Sequence, residues 1–194
     1  RTGFLGTPLL SKVLDEMGEI DRVYKLIFNE TYPSWFYSIN QGATTIWERW
    51  NSYSKTEGYN PMSMNSLNHY AYGAIGEWMY ERIGGIAPLE AGYKTIKIAP
   101  EPRKPLTSAS TSLETPYGKV SSSWKVQGNE FQLSVVIPPN TSAKVIIPAN
   151  TSKELLLNGN QFIDAQNVKL ENKSEALFEL FIQPGTYNFT SKIK

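Results

Sequence analysis

The apolar residues near the start of the chain recur at helical spacing. Thr7 is expected to cap a first helix and Pro8 to take its first position, with Gly18 as the end. The stripe that predicts this helix consists of Leu9, Leu10, Val13, Leu14 and Met17. A second helix, ending before Pro33, is predicted by a shorter stripe: Ile20, Val23, Tyr24 and Ile27. The segment SWFYSI predicts a short third helical piece.

The clearest helical pattern runs from about residue 65 to residue 82. Its apolar positions follow one another at intervals of three and four, and they are Leu67, Tyr70, Ala71, Ala74, Ile75, Trp78 and Met79. Asn65 or Ser66 is expected to cap this helix, and Gly84 with Gly85 to end it. The chain's single histidine, His69, would then lie in the first helical turn.

Further along, the period of the apolar positions falls to two. The segment APEPRKP (residues 99–105) has three prolines in seven residues and predicts a connector. The alternating runs that follow begin at Val120, Phe131, Ala143, Phe178 and Tyr187. The pairs Asn158-Gly159 and Pro184-Gly185 are turn signals, and short alternating strands with frequent turns predict an antiparallel β-sandwich. The earlier segment YKTIKIAP adds a strand to it.

Helices therefore precede strands, without βαβ alternation. This order predicts an α+β chain of two domains, with a helical domain over residues 1–86 and a sandwich domain over residues 87–194. The length of 194 residues is enough to bury a core in each.

Composition excludes several classes of function. The 19 basic and 18 acidic side chains give a net charge of +1, which argues against a nucleic-acid or membrane-surface binder. No apolar run approaches the roughly 20 residues that span a bilayer. The chain has no cysteine and one histidine, and it lacks phosphate-binding glycine loops and HExxH, so neither a metal site nor a cofactor is predicted. Composition does not fix the compartment, although an exported location is favoured over the cytoplasm.

The segment GATTIWERW contains Glu48, the first candidate for a catalytic residue. Glu48 lies between Trp47 and Trp50 and beside Arg49, and the chain has only five tryptophans. A carboxylate can act as acid, base or nucleophile, and indoles offer flat platforms for sugar rings. The alternative is a structural Glu48 that forms an ion pair with Arg49 or another cation, beside tryptophans of the core. Spacing alone favours this structural interpretation.

The neighbouring candidates are equally open on spacing alone. His69 could bind a hydroxyl group through a neutral ring, or it could satisfy a backbone carbonyl. Trp47 and Trp50 would share one face if their segment were helical, and core packing is the alternative for both. Arg49 could clamp a substrate group, although pairing with a neighbouring acid is the simpler interpretation.

Four segments together carry a family resemblance: TGFLGTPLL, YPSWFYSINQGATTIWERWNSY, MNSLNHYAYGAIGEWMY and IPPNTSAKVIIP. They resemble the C-terminal part of bacterial α-L-rhamnosidases of glycoside hydrolase family 78. The resemblance implies the last helices of an (α/α)6 catalytic barrel, followed by a β-sandwich. It also implies hydrolysis of terminal α-L-rhamnose from glycosides or polysaccharides with inversion, which uses two carboxyl groups roughly 6.5–9.5 Å apart.

The same resemblance assigns roles to particular residues. It implies that Glu48 is the general base, that His69 contacts the sugar and that Trp47 helps to wall the pocket. The family's general acid lies upstream of these motifs, and only about four of the barrel helices are expected here. The chain is therefore expected to be a fragment, inactive alone, whose partners are a rhamnoside and the missing N-terminal part of the same enzyme.

Two other functions remain open. The sandwich could bind carbohydrate without cleaving it, or serve only as a brace for the barrel. A polysaccharide lyase also combines a helical barrel with β domains, and in a lyase His69 would be the catalytic base.

Overall fold

The computed structural model describes residues 3–161, 167–174 and 176–193. The chain divides into two compact units, Arg1–Trp78 and Met79–Lys194. The α-helices belong to the first unit and the long strands to the second, so helices precede strands as the sequence predicts. No helix in the described ranges has the length and apolarity to cross a membrane.

The first unit is built mainly from helices. They span Gly3–Glu16 (α1), Ile20–Ile27 (α2), Trp35–Asn40 (α3), Ala71–Ala74 (a 3₁₀-helix) and Ile75–Trp78 (α4). A small antiparallel hairpin of Tyr53–Ser54 (β1) and Gly58–Tyr59 (β2) lies between α3 and the 3₁₀-helix in sequence. The buried apolar side chains come mostly from α2 and residues 71–78: Ile20, Val23, Tyr24, Ile27, Ala71, Tyr72, Ile75 and Trp78.

Helices α2 and α3 confirm their predictions. All four residues of the α2 stripe are buried. Helix α3 is the predicted short piece, and Ser34 caps it by accepting a hydrogen bond from the N–H of Tyr37 at 3.0 Å. After α1, Gly18 adopts a φ of 76°, the left-handed conformation in which glycine commonly ends a helix.

Helix α1 begins earlier than predicted. It starts at Gly3, so Thr7 is not its N-cap, and Pro8 lies inside the helix. The hydroxyl of Thr7 instead donates to the carbonyl of Gly3 at 2.7 Å, as threonine does within a helix. The extra turn leaves Pro8 with no N–H to offer the carbonyl four residues earlier, the usual cost of a proline inside a helix.

The apolar stripe that predicts α1 is only partly covered in this chain, because Leu10 and Leu14 are half-buried. Leu9 is 61% exposed and Val13 is 49% exposed, whereas Thr7 and Ser11 are buried. Short side chains let neighbouring helices approach closely, so Thr7 and Ser11 lie on a contact side of α1. The exposed apolar residues of α1 and its end are Leu5, Leu9, Val13 and Met17.

The helix predicted from residue 65 begins only at Ala71. Residues 65–70 are irregular, and the helical run continues beyond α4 as a π-helix, Met79–Ile83, the first element of the second unit. The apolar period extended too far because tertiary hydrogen bonds take the backbone groups of residues 66–69. His69 therefore precedes the helix.

The second unit contains eleven strands in the described residues. They are Ile86–Pro88 (β3), Thr95–Ile98 (β4), Ser108–Thr115 (β5), Gly118–Gln127 (β6), Glu130–Ile137 (β7), Ser142–Pro148 (β8), Leu156–Leu157 (β9), Asn160–Gln161 (β10), Val168–Lys173 (β11), Leu177–Ile182 (β12) and Gly185–Lys192 (β13). Short 3₁₀-helices occur at Ala91–Tyr93 and Ser152–Glu154.

These strands form two sheets. Their orders are β10-β9-β13-β7-β6-β5 and β11-β12-β8-β4-β3. The described pairs are antiparallel as predicted, except that β4 and β8 run parallel. The chain between β4 and β8 passes through three strands of the other sheet, which supplies the long connection that a parallel pair requires.

The alternation of apolar residues correctly identifies the buried faces. The buried side chains include Val120, Trp124, Phe131, Leu133, Val135, Ile137, Ala143, Val145, Ile147, Phe178, Leu180, Ile182, Tyr187 and Phe189. Asn158 and Gly159 both adopt positive φ between β9 and β10, as expected for this hairpin turn. The strand predicted from YKTIKIAP is β4.

Candidate functional site

Two irregular segments of the first unit carry Glu48 and His69. The N–H of Glu48 donates to the carbonyl of Ser66, and the N–H of His69 donates to the carbonyl of Ile46, each at 2.8 Å. The hydroxyl of Thr45 also donates to the carbonyl of Leu67. These bonds place the two candidate residues on adjoining segments, although 21 positions separate them in sequence.

Glu48 is a half-buried residue, and its carboxylate is held through one oxygen. Its Oε2 accepts a hydrogen bond from the N–H of Ser66 at 3.0 Å. Within the part of the chain that the structure describes, no cation pairs with Glu48 and no group bonds its Oε1. One oxygen is therefore fixed and the other is available.

Arg49 does not form the ion pair that the structural interpretation of Glu48 requires. Its guanidinium donates to the carbonyl of Ser63 at 3.3 Å and lies 3.8 Å from the sulfur of Met62. Arg49 thus holds the loop before Ser66. The structure therefore does not support the interpretation in which Glu48 forms a salt bridge with Arg49.

The ring of His69 is held by aromatic neighbours. It stacks on Phe4 with the centroids 4.8 Å apart and on Tyr70 with the centroids 5.2 Å apart. Its Nδ1 accepts a hydrogen bond from the N–H of Ala71 at 3.3 Å, so a neutral ring carries its proton on Nε2. No group in the described ranges bonds Nε2, which leaves this N–H free to donate.

Trp47 and Trp50 do not lie on a helix, but they line one aromatic pocket. Trp50 stacks on Tyr72 with the ring centroids 3.9 Å apart, and Trp35 meets Trp50 edge to face. The indole N–H of Trp35 donates to the carbonyl of Tyr72 at 2.9 Å. Core packing therefore describes Trp50 well.

The volume of this pocket limits what it can bind. It measures about 50 Å³, whereas small-molecule sites usually measure roughly 300–1,000 Å³. Trp47 is only 6% exposed. The aromatic cluster supports the segment that carries Glu48, and it has no room for a sugar ring.

Sequence reasoning missed Ser66 as the partner of Glu48. The contact uses a backbone N–H that lies 18 positions away, so it leaves no side-chain signal in the sequence. Among the described residues, no group of three or more His, Cys, Asp or Glu side chains is placed to hold a metal ion.

Two family models match the chain. The bacterial alpha-L-rhamnosidase 6 hairpin glycosidase domain matches residues 1–83, and the bacterial alpha-L-rhamnosidase C-terminal domain matches residues 85–161. Together they cover most of the chain, in the order of helices and then strands.

Curated relatives are also named as alpha-L-rhamnosidases. An alpha-L-rhamnosidase of Formosa agariphila is 66% identical over 192 residues, which are 99% of this chain and 21% of the relative. One from an Alteromonas species is 57% identical over 144 residues, 74% of this chain and 16% of the relative. The chain thus spans about a fifth of the length of these relatives.

A solved alpha-L-rhamnosidase structure has the same fold over nearly the whole of this chain. The Streptomyces avermitilis alpha-L-rhamnosidase, in complex with L-rhamnose, superposes with a TM-score of 0.88 at 39% identity. The match covers 98% of this chain and 18% of that one.

Proposed function

The chain belongs to the bacterial α-L-rhamnosidases, and on this premise we propose that it provides the general base for hydrolysis of terminal α-L-rhamnosides. The observation that carries the proposal is the carboxylate of Glu48. One of its oxygens is fixed by a backbone N–H, and the other has no partner among the described residues. A base that activates water needs such an accepting oxygen.

The proposed reaction inverts the anomeric carbon. Oε1 of Glu48 accepts a proton from water while the water oxygen attacks that carbon, and the bond to the leaving-group oxygen breaks. A general acid on the opposite side of the sugar, roughly 6.5–9.5 Å from the base, protonates the leaving group. We assign this acid to a part of the enzyme that the relatives possess beyond the fifth spanned by this chain.

His69 is proposed to bind the sugar. Its Nε2–H can donate to a rhamnose hydroxyl, because Nδ1 is already engaged with the N–H of Ala71. Stacking on Phe4 and Tyr70 fixes the direction of that donor. Trp47 is proposed as the wall next to Glu48, although it is only 6% exposed.

The architecture proposed for the two regions follows the family. Residues 1–86 would form the last helices of an (α/α)6 barrel, and residues 87–194 the sandwich that follows it. The exposed stripe at Leu5, Leu9, Val13 and Met17 supports this, since an apolar helix face requires a neighbouring helix. The two family models, which meet near residue 84, support a boundary in that region.

The sandwich is proposed to be a brace. The aromatic side chains Trp124, Phe131, Phe178 and Phe189 are buried, so they offer no platform to a sugar. A lyase has less support, because the matching relatives and the matching domain are named as glycosidases.

A chimera tests the proposed function. The complete chain replaces the matching segment of the Formosa agariphila relative, and hydrolysis of the nitrophenyl glycoside of α-L-rhamnose is measured. Proton NMR should show β-L-rhamnose as the first product, while the chain alone should show no turnover. A well-folded chimera without rhamnosidase activity, or one that releases an unsaturated sugar, would contradict the proposal.

A further inference from the structure

The side chain of Asn65 closes the loop that precedes Ser66. Its Nδ2 donates to the backbone carbonyl of Asn60 and, at 2.6 Å, to that of Met62. The Oδ1 of Asn60 in turn accepts the N–H of Met62 at 3.0 Å. The side-chain amide of Asn65 therefore binds two backbone carbonyl groups of the loop.

This loop has a conformation that the backbone does not favour. Met64 adopts a φ of 69°, in the left-handed region that non-glycine residues seldom occupy. Oδ1 of Asn65 is buried without a hydrogen-bond partner in the described part of the chain. Both features cost stability, so the loop requires compensating contacts, and the two bonds from Nδ2 supply them.

The loop delivers one group to the proposed base. The residue after Asn65 is Ser66, whose N–H donates to Oε2 of Glu48 at 3.0 Å and whose carbonyl accepts the N–H of Glu48 at 2.8 Å. A bond from Arg49 to the carbonyl of Ser63 ties the same loop to the segment that carries Glu48. The orientation of the carboxylate therefore depends on the shape of this loop.

We infer that Asn65 is a positioning residue for Glu48: it holds the loop so that the Ser66 amide fixes Oε2 and leaves Oε1 directed to water. The inference rests on the proposed function, in which Glu48 is the base. Catalytic groups must be held within about 0.5 Å of their productive position, and a backbone amide on a closed loop does this without a mobile side chain.

The test uses variants in the chimera and azide as a second nucleophile. Azide attacks the anomeric carbon without losing a proton, so it replaces the water and its base but cannot restore a misfolded enzyme. Asn65→Ala removes both bonds to the loop. Asn65→Asp keeps the size of the side chain but presents oxygen instead of N–H to the two carbonyl groups.

Both Asn65 variants should lower kcat by about 10- to 100-fold with little change in KM, because a misplaced base slows only the chemical step. Azide should raise turnover of the activated nitrophenyl glycoside and give the β-L-rhamnosyl azide, as it should for Glu48→Ala. The control Asn40→Ala, an exposed asparagine at the end of α3 whose side chain has no hydrogen bond among the described residues, should behave like the parent.

Two results would overturn the inference while leaving the proposed function intact. Glu48→Ala would be impaired and rescued by azide, but either the Asn65 variants would keep the parent's kcat or their lost activity would not respond to azide. The latter result would assign Asn65 a purely structural role. If Glu48→Ala itself kept full activity, the proposed function would be contradicted, and the role of Asn65 would be contradicted with it.

Discussion

The indole N–H of Trp124 donates a hydrogen bond of 2.6 Å to the backbone carbonyl of Ile83. Trp124 lies on the buried face of β6 and is 2% exposed, and Ile83 ends the π-helix of the second unit. The bond satisfies a buried carbonyl that a regular helix would leave open at its end. Trp124 therefore fills the core and also anchors the end of that helix.

Replacing Trp124 by phenylalanine should destabilise the second unit by about 3 kcal/mol, because it leaves a cavity and an unsatisfied buried carbonyl. Urea denaturation followed by far-UV circular dichroism measures this loss. Tyr117→Phe, which changes an exposed ring, is the matched control and should shift the free energy of unfolding by less than about 0.5 kcal/mol. Equal unfolding midpoints for the two variants would contradict the anchoring role.

Gly85 allows no side chain. It has a φ of 80°, and a Cβ there would lie 2.4 Å from the backbone nitrogen of Pro100. Gly85→Ala should therefore destabilise the second unit by more than about 3 kcal/mol, since left-handed strain and a clash with backbone add together. The measurement is the free energy of unfolding in urea.

Gly92 provides the control for Gly85. It has a φ of 73°, but a Cβ there would meet no atom within 4 Å. Gly92→Ala should cost only about 1 kcal/mol, the strain of the left-handed conformation alone. Similar losses for both alanines would show that the contact with Pro100 is easily relieved.

The second unit should lose stability in alkali. Burial raises the pKa of Tyr187, whose hydroxyl donates to the carbonyl of Gln183 at 3.0 Å, above its ordinary 10.0. Hydrogen bonds from Lys144 to Glu179 and Glu171 raise the pKa of Lys144 above its ordinary 10.5. The folded state binds both protons more tightly than the unfolded state, so this stabilisation is complete below those ordinary values and is lost as the pH rises through the raised ones.

Tyr187→Phe separates the two groups. This variant should be less stable than the parent near neutral pH, because the hydrogen bond to Gln183 is lost, by about 1 kcal/mol. Its stability should then fall less steeply above pH 10, since one of the two titrating groups is gone. Urea unfolding at a series of pH values measures both effects, and parallel curves for variant and parent would exclude Tyr187 as a source of the alkaline loss.

His69→Phe tests the proposed contact with sugar in the chimera. Phenylalanine can keep the stack with Phe4 and Tyr70 but cannot donate from Nε2. KM should rise by about 2- to 12-fold, the worth of one hydrogen bond, while kcat changes less. An unchanged KM, with thermal stability preserved, would remove His69 from the sugar site.

The sequence predicts the strands well because their signal is local. Alternation identifies the buried residues of β7, such as Phe131 and Leu133, and Asn158-Gly159 marks a hairpin. The helical unit is harder. Leu9, Val13 and Met17 of α1 are exposed, whereas the buried contacts of this helix use Thr7 and Ser11. The apolar pattern marks the helix, but it does not specify which neighbours cover each face.

In the candidate site, too, the sequence predicts local features but not the contacts between distant segments. The sequence nominates Glu48 and His69 as candidates because their motifs resemble those of a family. Glu48 is held by the backbone N–H of Ser66. Every residue except proline has a backbone N–H, so the residue type at position 66 does not predict this contact. The helix predicted from residue 65 fails for the same reason, since the backbone groups of that segment are used in tertiary bonds.

The most direct test of the central claim is Glu48→Gln in the chimera, with Glu57→Gln as control. Glu57 is an exposed residue in the turn between β1 and β2, and its carboxylate has no ion pair among the described residues. Glutamine keeps the shape of Glu48 and can still accept from Ser66, but it cannot take a proton from water. Turnover of the nitrophenyl rhamnoside should fall by about 10²- to 10⁴-fold, while rhamnose binding, measured by calorimetry, stays close to the parent's. Near-parental turnover in Glu48→Gln would contradict the assignment of Glu48 as the general base.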